Sequence, residues 1–301
     1  MINFTKHRRF YLIFSASLAL VSILSAIIFG LQLSRDFTGG SLLELNFKDY
    51  PRPDKSAVLE SVNKLSLGKV DIQTTNENGL ILKLGAINNG QKQAISLELA
   101  PDKDLTKIEV VRFDSVGPVV GQELKSKAWQ AIVLASICII LYIAWAFRKV
   151  SRPVSSWKFG VTAVVTLLHD VLVVFGVFVI LGELAQVEMD ALFITALLTI
   201  LGFSVHDTIV VFDRIRENLT RSYSDNFESC VNDSLNQTLA RSINTSLTTL
   251  LVLLAILFFG GDSIKYFVLA LILGIFIGTY SSIFVASQLL LVWHNRNQQR
   301  R

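Results

Sequence analysis

Two cysteines, five prolines and four histidines in 301 residues leave little material for several kinds of chemistry. Cys138 falls in an apolar run and Cys230 in a polar one. Neither has a metal-ligand neighbour at useful spacing, so no disulfide, thiolate cluster or metal site is expected. No glycine-rich phosphate loop and no nucleophile–base arrangement is recognisable, which argues against an enzyme and against a cofactor. Charge is also sparse, at 17% of residues. The 28 Lys and Arg exceed the 24 Asp and Glu only slightly, and they form no polybasic block of the kind that binds nucleic acid.

What the chain does have is apolar length. Half of it is hydrophobic, and six runs are long enough to span a bilayer, which takes about 20 residues. They cover residues 10–31, 128–147, 157–181, 190–212, 240–260 and 266–293. Lys6-His7-Arg8-Arg9 precedes the first like the charged start of a signal peptide. The run that follows is longer than a signal core and is not followed by a small-residue cleavage site, so a retained helix is expected.

The Lys and Arg residues set an orientation. Lys6, Arg8 and Arg9 precede the first run; Arg148, Lys149, Arg152 and Lys158 lie between the second and third. Arg214, Arg216 and Arg221 follow the fourth, and Arg296, Arg300 and Arg301 close the chain. The alternate loops are nearly free of them. Positive loops stay in the cytoplasm, so both termini are expected there. The expected layout is a cytoplasmic N-terminus and first span over 1–31, an outer domain over 32–127, and a five-span bundle over 128–293. A cytoplasmic loop at 213–239 interrupts the bundle, and a tail follows at 294–301.

The long loop 32–127 balances thirteen basic against thirteen acidic residues. Ser41-Leu-Leu-Glu-Leu-Asn-Phe47 alternates as a half-buried strand, and Ala57, Val58, Val62 and Leu65 recur at helical spacing within 53–65, where Asp54 suits an early turn. A strand over 69–75, a turn at Asn78-Gly79 and a strand over 80–84 follow. A helix over 89–99 ends before Pro101, and 107–113 alternates again. The order β-α-β-β-α-β predicts a small α+β domain of ferredoxin-like arrangement. It holds no His or Cys, so it suits binding or moving something by its surface.

Two polar-glycine segments flank this domain, Asp36-Phe-Thr-Gly-Gly40 and Val116-Gly-Pro-Val-Val-Gly-Gln-Glu-Leu124. Gly39 and Gly40 permit positive φ and a sharp redirection of the chain. Asp36, Gly39, Gly40, Gly117, Pro118 and Gly121 are read either as tight turns at a domain edge or as a hinge. Farther on, Ser234-Leu-Asn-Gln237 has the spacing of a capping box, which predicts a short surface helix before the chain re-enters the membrane.

Ionisable groups inside apolar runs are expensive, at about 2.5–3.5 kcal/mol for a central Asp, and mark functional sites by default. His169 and Asp170 fall in the third run, His206 and Asp207 in the fourth, and Arg241 near the start of the fifth. At 1.5 Å per residue, Asp207 lies roughly 26 Å from Asp190 and Arg241 roughly 28 Å from Gly260. At matched depth the two can pair. Arg241 can alternatively snorkel to cytoplasmic water, and Asp207 can serve as a purely structural carboxylate. An aspartate that meets an arginine in one conformation and loses it in another changes its proton affinity between them, as proton coupling requires. Asp170 lies nearer the bilayer centre. His169, about 100° away on the helix, need not be its partner. His206 is either a second proton site or a neutral packing residue. Thr245, Ser246, Thr248, Thr249 and the run Thr279-Tyr-Ser-Ser282 can bond across helices or line a polar path, and Gly274-x-x-x-Gly278 is a close-approach face.

Taken in order and spacing, Asp36-Phe-Thr-Gly-Gly40, Val116-Gly-Pro-Val-Val-Gly121, Leu168-His-Asp-Val171, Asp207-Thr-Ile-Val-Val-Phe-Asp-Arg-Ile-Arg-Glu-Asn218, Asn236-Gln-Thr-Leu-Ala-Arg-Ser-Ile-Asn-Thr-Ser246 and Gly278-Thr-Tyr-Ser-Ser-Ile283 resemble the SecF family. These are the membrane subunits of the bacterial SecD–SecF complex, in the resistance-nodulation-division (RND) superfamily. The resemblance implies an inner-membrane location, SecD, SecYEG and YajC as partners, preproteins as substrates, and proton-motive force as the drive. It implies proton-conducting roles for Asp207 and Arg241 and gives Asp170 a family position of less certain role. One residue departs: His206 stands where the family commonly has Asn. A half-transporter for a lipid or small molecule and a non-conducting scaffold are the competing readings.

Overall fold

The computed structural model describes residues 2–298 apart from 49, 66, 69, 76–77, 147–154 and 222–225. The expected basic positions Arg148, Lys149, Arg152, Arg300 and Arg301 lie outside the described residues. In chain order the main elements are α1 (Arg8–Phe29), α2 (Arg35–Thr38), β1 (Gly40–Phe47), α3 (Lys55–Lys64), β2 (Asp71–Thr75), β3 (Gly79–Leu84), α4 (Asn89–Leu99), β4 (Ile108–Val116), α5 (Pro118–Ala146), α6 (Ser156–Ala185), α7 (Ala191–Arg221), α8 (Phe227–Phe259), α9 (Lys265–Ser281) and α10 (Ser287–Gln298). A π-helical turn, Ser282–Ala286, joins the last two. Among the described residues six stretches are long and apolar enough to cross a membrane, with α9, the π turn and α10 counting as one. The chain divides into two compact units, Leu33–Ala128 and the remainder.

The first unit is a four-stranded antiparallel sheet of order β2-β3-β1-β4. With α3 and α4 between its strands, this is the ferredoxin-like arrangement. Alternation in β1 places Leu43, Leu45 and Phe47 on one face, and all three are buried. Leu43 and Leu45 sit opposite Leu82 and Leu80 of β3. Val58 and Val62 of α3 and Ile95 of α4 close the core from that side. Asn88 caps α4 by accepting from Gln91 N, and the Gln91 side chain returns to Asn88 N. That reciprocal cap fixes the helix start.

The two polar-glycine segments pack on each other within this unit. Gly39 and Gly40 have φ of 74° and 131°. A Cβ at Gly39 would lie 2.9 Å from Pro118 Cα, and one at Gly121 would lie 2.9 Å from the Phe37 carbonyl oxygen. Contrary to the sequence reading, Pro118 and Gly121 do not lie in a joining loop: α5 begins at Pro118, ten residues before the apolar run. Proline at the first helical position loses no bond and presets φ, so a helix can start in polar sequence. Gly39→Ala therefore adds strain and a backbone clash together, with an expected cost of about 1–3 kcal/mol. Faster amide exchange along β1 in the full chain would show it.

In the second unit, α6, α7 and the α9–α10 segment are half buried, whereas α1, α5 and α8 are mostly exposed. Phe159, Leu167, Leu201, Phe212, Ile215 and Leu290 centre its core. Small residues set the close approaches. A Cβ at Gly176 of α6 would lie 2.3 Å from the Ser22 side chain of α1, and one at Gly274 would lie 2.3 Å from Ile200 of α7. The Gly274–Gly278 face thus packs on α7, as the small-x-x-x-small pattern predicts. Outward-facing Trp129, Leu134, Leu141 and Trp145 of α5, with Leu247, Leu251 and Phe258 of α8, are exposed. An apolar exterior of this extent suits contact with lipid or another membrane helix.

The loop expected over 213–239 is corrected. Residues through Arg221 continue α7, and α8 begins at Phe227, capped by the Asn226 side chain. Ser234 lies inside α8 and donates to the Cys230 carbonyl at 2.7 Å, so it caps nothing. Gln237 accepts from Asn218 Nδ2 at 2.8 Å and from Arg214 Nε, clasping the end of α7 to α8. The amino-terminal residues join the same end. Ile2 and Phe4 donate to the Asn236 and Asn232 side chains, and Arg8 pairs with Glu228 at 3.1 Å.

Candidate functional site

Asp170 is held more completely than any other group in the bundle discussed below. It is fully buried on α6. Its Oδ2 accepts hydrogen bonds from Ser204 Oγ of α7 and Ser281 Oγ of α9, each at 2.6 Å. Its Oδ1 lies 3.0 Å from His169 Nδ1, and His169 Nε2 lies 3.3 Å from the Ser15 carbonyl of α1. His169 is therefore its partner, which the helical angle alone did not require. A 100° offset at Cβ still lets an imidazole swing back onto its neighbour's carboxyl group. Four helices meet at this one carboxyl–imidazole pair.

Asp207, one turn beyond Ser204 on α7, is in a different condition. It is 3% exposed, yet its Oδ2 has no hydrogen-bond partner among the described residues. The hydroxyls of Ser242 on α8 and Thr279 on α9 stand beside the carboxyl group, but Ser242 Oγ too is left without a bond of normal geometry. Buried polar atoms are almost always satisfied, so two orphaned atoms side by side mark a place where another group belongs.

The expected Asp207–Arg241 pair is not closed. Arg241 is exposed on α8, and no ion pair joins it to Asp207 among the described residues, although its charge still acts on the carboxyl group. His206 is exposed and likewise acts on Asp207 through its charge, with no ion pair between them among the described residues. The pair expected from matched depth is therefore open in this structure.

The helices that carry the two aspartates also bring hydroxyls together. Ser282 Oγ lies 2.9 Å from Thr208 Oγ1 and donates to the Ser204 carbonyl, and Ser246 of α8 bonds Thr279. The strip Thr279–Ser282 at the end of α9 thus touches Asp170 through Ser281 and stands beside Asp207 through Thr279. Thr245, Thr248 and Thr249, grouped with it from sequence, are not part of this strip: Thr248 and Thr249 bond back to the Thr245 carbonyl in their own helix. The last residue of the strip, Ser282, opens the π turn, a feature often found at functional sites. Nothing in the sequence pattern announced that turn, nor the meeting of Ser204 and Ser281 on one oxygen. Beside Thr279 an apolar groove of about 320 Å³ runs between α8 and α9, lined by Ile243, Leu247, Leu250, Phe276 and Phe284 among others. Among the described residues no group of three or more His, Cys, Asp or Glu is placed to hold a metal.

Comparison with known proteins gives this geometry a context. The family described as "Protein export membrane protein SecD/SecF, C-terminal" matches residues 98–296. A protein translocase subunit SecF from Thermobaculum terrenum is 45% identical over 305 residues, covering 99% of this chain and 95% of the relative. The subunit of the same name from Anaerolinea thermophila is 42% identical, covering 98% and 95%. A protein translocase subunit SecDF from Thermus thermophilus is 35% identical over 94% of this chain but only 38% of its own length. The crystal structure of SecDF, a translocon-associated membrane protein from Thermus thermophilus, superposes with a TM-score of 0.80 at 33% identity, covering 98% of this chain and 39% of that one. A SecDF structure described as a super-membrane-facing form superposes with a TM-score of 0.70 at 34% identity, over 99% and 39%.

Proposed function

The chain belongs to the SecF family, and from that premise we propose that it serves bacterial protein export as a proton-driven membrane subunit. It is a multi-pass protein of the inner membrane, and its role is transport. Its partner is a SecD: the relative in which both parts form one polypeptide is the support for that pairing. SecYEG, YajC, preproteins and surrounding lipid complete the proposed set of contacts.

Both termini face the cytoplasm in this reading. In its support, the amino-terminal residues and the Arg214–Asn218 clasp gather on the start of α8, the end that carries the basic loops. The sheet unit Leu33–Ala128 then faces the periplasm, where it can act on an emerging preprotein. Its face away from α3 and α4 carries half-exposed Glu44, Asn46, Ile81 and Lys83.

The observation that carries the proton reading is Asp207, a buried carboxyl group with an unpartnered oxygen at the α7–α8–α9 junction. In the open arrangement described above it awaits a partner. When Arg241 closes on it the proton leaves, and when Arg241 withdraws a proton returns. His206 borders this site, and Asp170 is a second candidate station. The corner built from Asp36, Gly39, Gly40, Gly117, Pro118 and Gly121, close-packed at Gly39, Gly40 and Gly121 and open at Gly117, is proposed as a joint that bears load, in place of a slack hinge.

The test is complementation. Cells lacking their own SecF, given this chain with its SecD, are expected to recover export of a slowly chased preprotein, and an uncoupler should abolish the gain. Recovery that is indifferent to the uncoupler would refute proton coupling.

A further inference from the structure

Asp170 carries the other buried carboxyl group described above, and the hydrogen bonds around it fix where its protons lie. His169 Nε2 faces the Ser15 carbonyl at 3.3 Å. A carbonyl only accepts, so Nε2 must carry a hydrogen. In a neutral imidazole the other nitrogen, Nδ1, is then a bare acceptor. It lies 3.0 Å from Asp170 Oδ1, which is itself an acceptor when ionised. Two acceptors at that distance repel, so one proton must lie between them. Meanwhile Oδ2 accepts from both Ser204 and Ser281 at 2.6 Å, so neither hydroxyl can take the role of that proton. Among the described residues no Lys, Arg or second carboxylate bonds to Asp170; α1 offers the Ser15 carbonyl, α7 offers Ser204 and α9 offers Ser281. Tyr280 of α9 approaches α1, not the carboxyl group, contacting Ser15 Oγ and the Tyr11 carbonyl at 3.4 Å each.

We propose that His169 and Asp170 form a second proton-exchange site of the transport cycle, one that stores a single shared proton between Oδ1 and Nδ1. Written out, Asp170 Oδ1–H donates to His169 Nδ1 in one form. In the other the proton has crossed the same bond, leaving Oδ1⁻ facing Nδ1–H of an imidazolium. Both forms are neutral overall, which is what an apolar interior favours. Exchange is assigned to the imidazole, since the His169 side chain retains 10% exposure while Asp170 has none. Loss of a proton from the pair leaves Asp170 ionised beside a neutral Nδ1–H imidazole, whose bare Nε2 must then part from the Ser15 carbonyl. Regaining it restores the stored proton. The hydroxyl strip Thr279–Ser282 places this site next to Asp207 through a common helix. The inference rests on the proton-driven reading above but adds a distinct residue pair to it.

Nitrogen-15 NMR of the histidines, in the full chain with its SecD in lipid nanodiscs, tests the stored proton in the unaltered protein. His169→Gln identifies the signal. A protonated Nε2 is expected. An Nε2 lone pair with Nδ1–H at neutral pH overturns the proposal. Asp170→Asn mimics the neutral acid, because its amide N–H can donate to Nδ1 and its oxygen can accept from both serines. It should keep the fold and lower proton flux in vesicles at least tenfold. If Asp207→Asn stops flux and a folded Asp170→Asn does not, the second site is refuted and the proton-driven reading stands. If both variants conduct normally, the proton-driven reading fails and takes the second site with it. If Asp170→Asn alone stops flux, the second site stands and the role of Asp207 is what fails.

Discussion

Asp207→Asn is expected to abolish proton-dependent export while leaving the protein at least as stable as before. The two halves of that expectation come from one observation. Asp207 is buried with an oxygen that nothing bonds among the described residues. A buried, unsatisfied polar atom costs about 1–3 kcal/mol, and more when charged. Asparagine has the same shape, carries no charge and can use Ser242 as a partner, so some of that cost is relieved. What it cannot do is bind and release a proton or answer the approach of Arg241. Loss of function without loss of stability is the signature of a strained functional group. Vesicles containing the chain and its SecD, loaded with a pH-sensitive dye, give the flux, and thermal unfolding gives the stability. A fall of tenfold or more in flux with an unchanged or raised melting temperature is expected. Unchanged flux would leave Asp207 a packing residue.

Asp170→Leu should do the reverse and damage the fold first. The leucine fills much of the volume but leaves Ser204 and His169 Nδ1 without their partner, while Ser281 keeps only the Gly278 carbonyl. At about 1–3 kcal/mol per orphaned group, the two together come to roughly 2–6 kcal/mol, a large share of the whole stability of a typical domain. Poor accumulation in the membrane and a sharply lowered melting temperature are expected. The contrast with Asp170→Asn is what makes the measurement informative. Should leucine be tolerated, the cluster would not be what holds α6, α7 and α9 together.

Parts of this were legible in the sequence, for reasons that can be located. The helix Asn89–Leu99 was readable to the residue because its cap lies in the chain itself, in the Asn88–Gln91 box and the proline that follows. The strand around Leu43, Leu45 and Phe47 was readable because alternation records burial on one face. The starts of α5 and α8 were not. Both helices begin in polar sequence, ten or more residues outside the apolar run, and a hydropathy window sees only the part that meets lipid. Asn226, which caps α8, was the available signal, two residues before an acidic Glu228.

The site divides in the same way. That charges at 170 and 207 needed an explanation followed from their apolar surroundings alone. That one is fully bonded and the other is not depends on Ser204, Ser281 and Ser242 arriving from other helices, and spacing within one helix carries no record of that. Depth arithmetic placed Asp207 and Arg241 at one level. It could not specify the side-chain directions that leave the pair open.

The π turn at Ser282–Ala286 also governs how residue numbers translate into direction. A wide turn accommodates one extra residue, so everything after it is rotated by about 100° relative to an uninterrupted helix. Gly274 and Gly278 before the turn and Leu290 and Leu291 after it all face inward, yet no single heptad frame contains both sets. The last span is thus two helical phases on one axis, the first reading in small residues and the second in large ones. A periodicity count carried unbroken through it would assign half of its inward face to lipid.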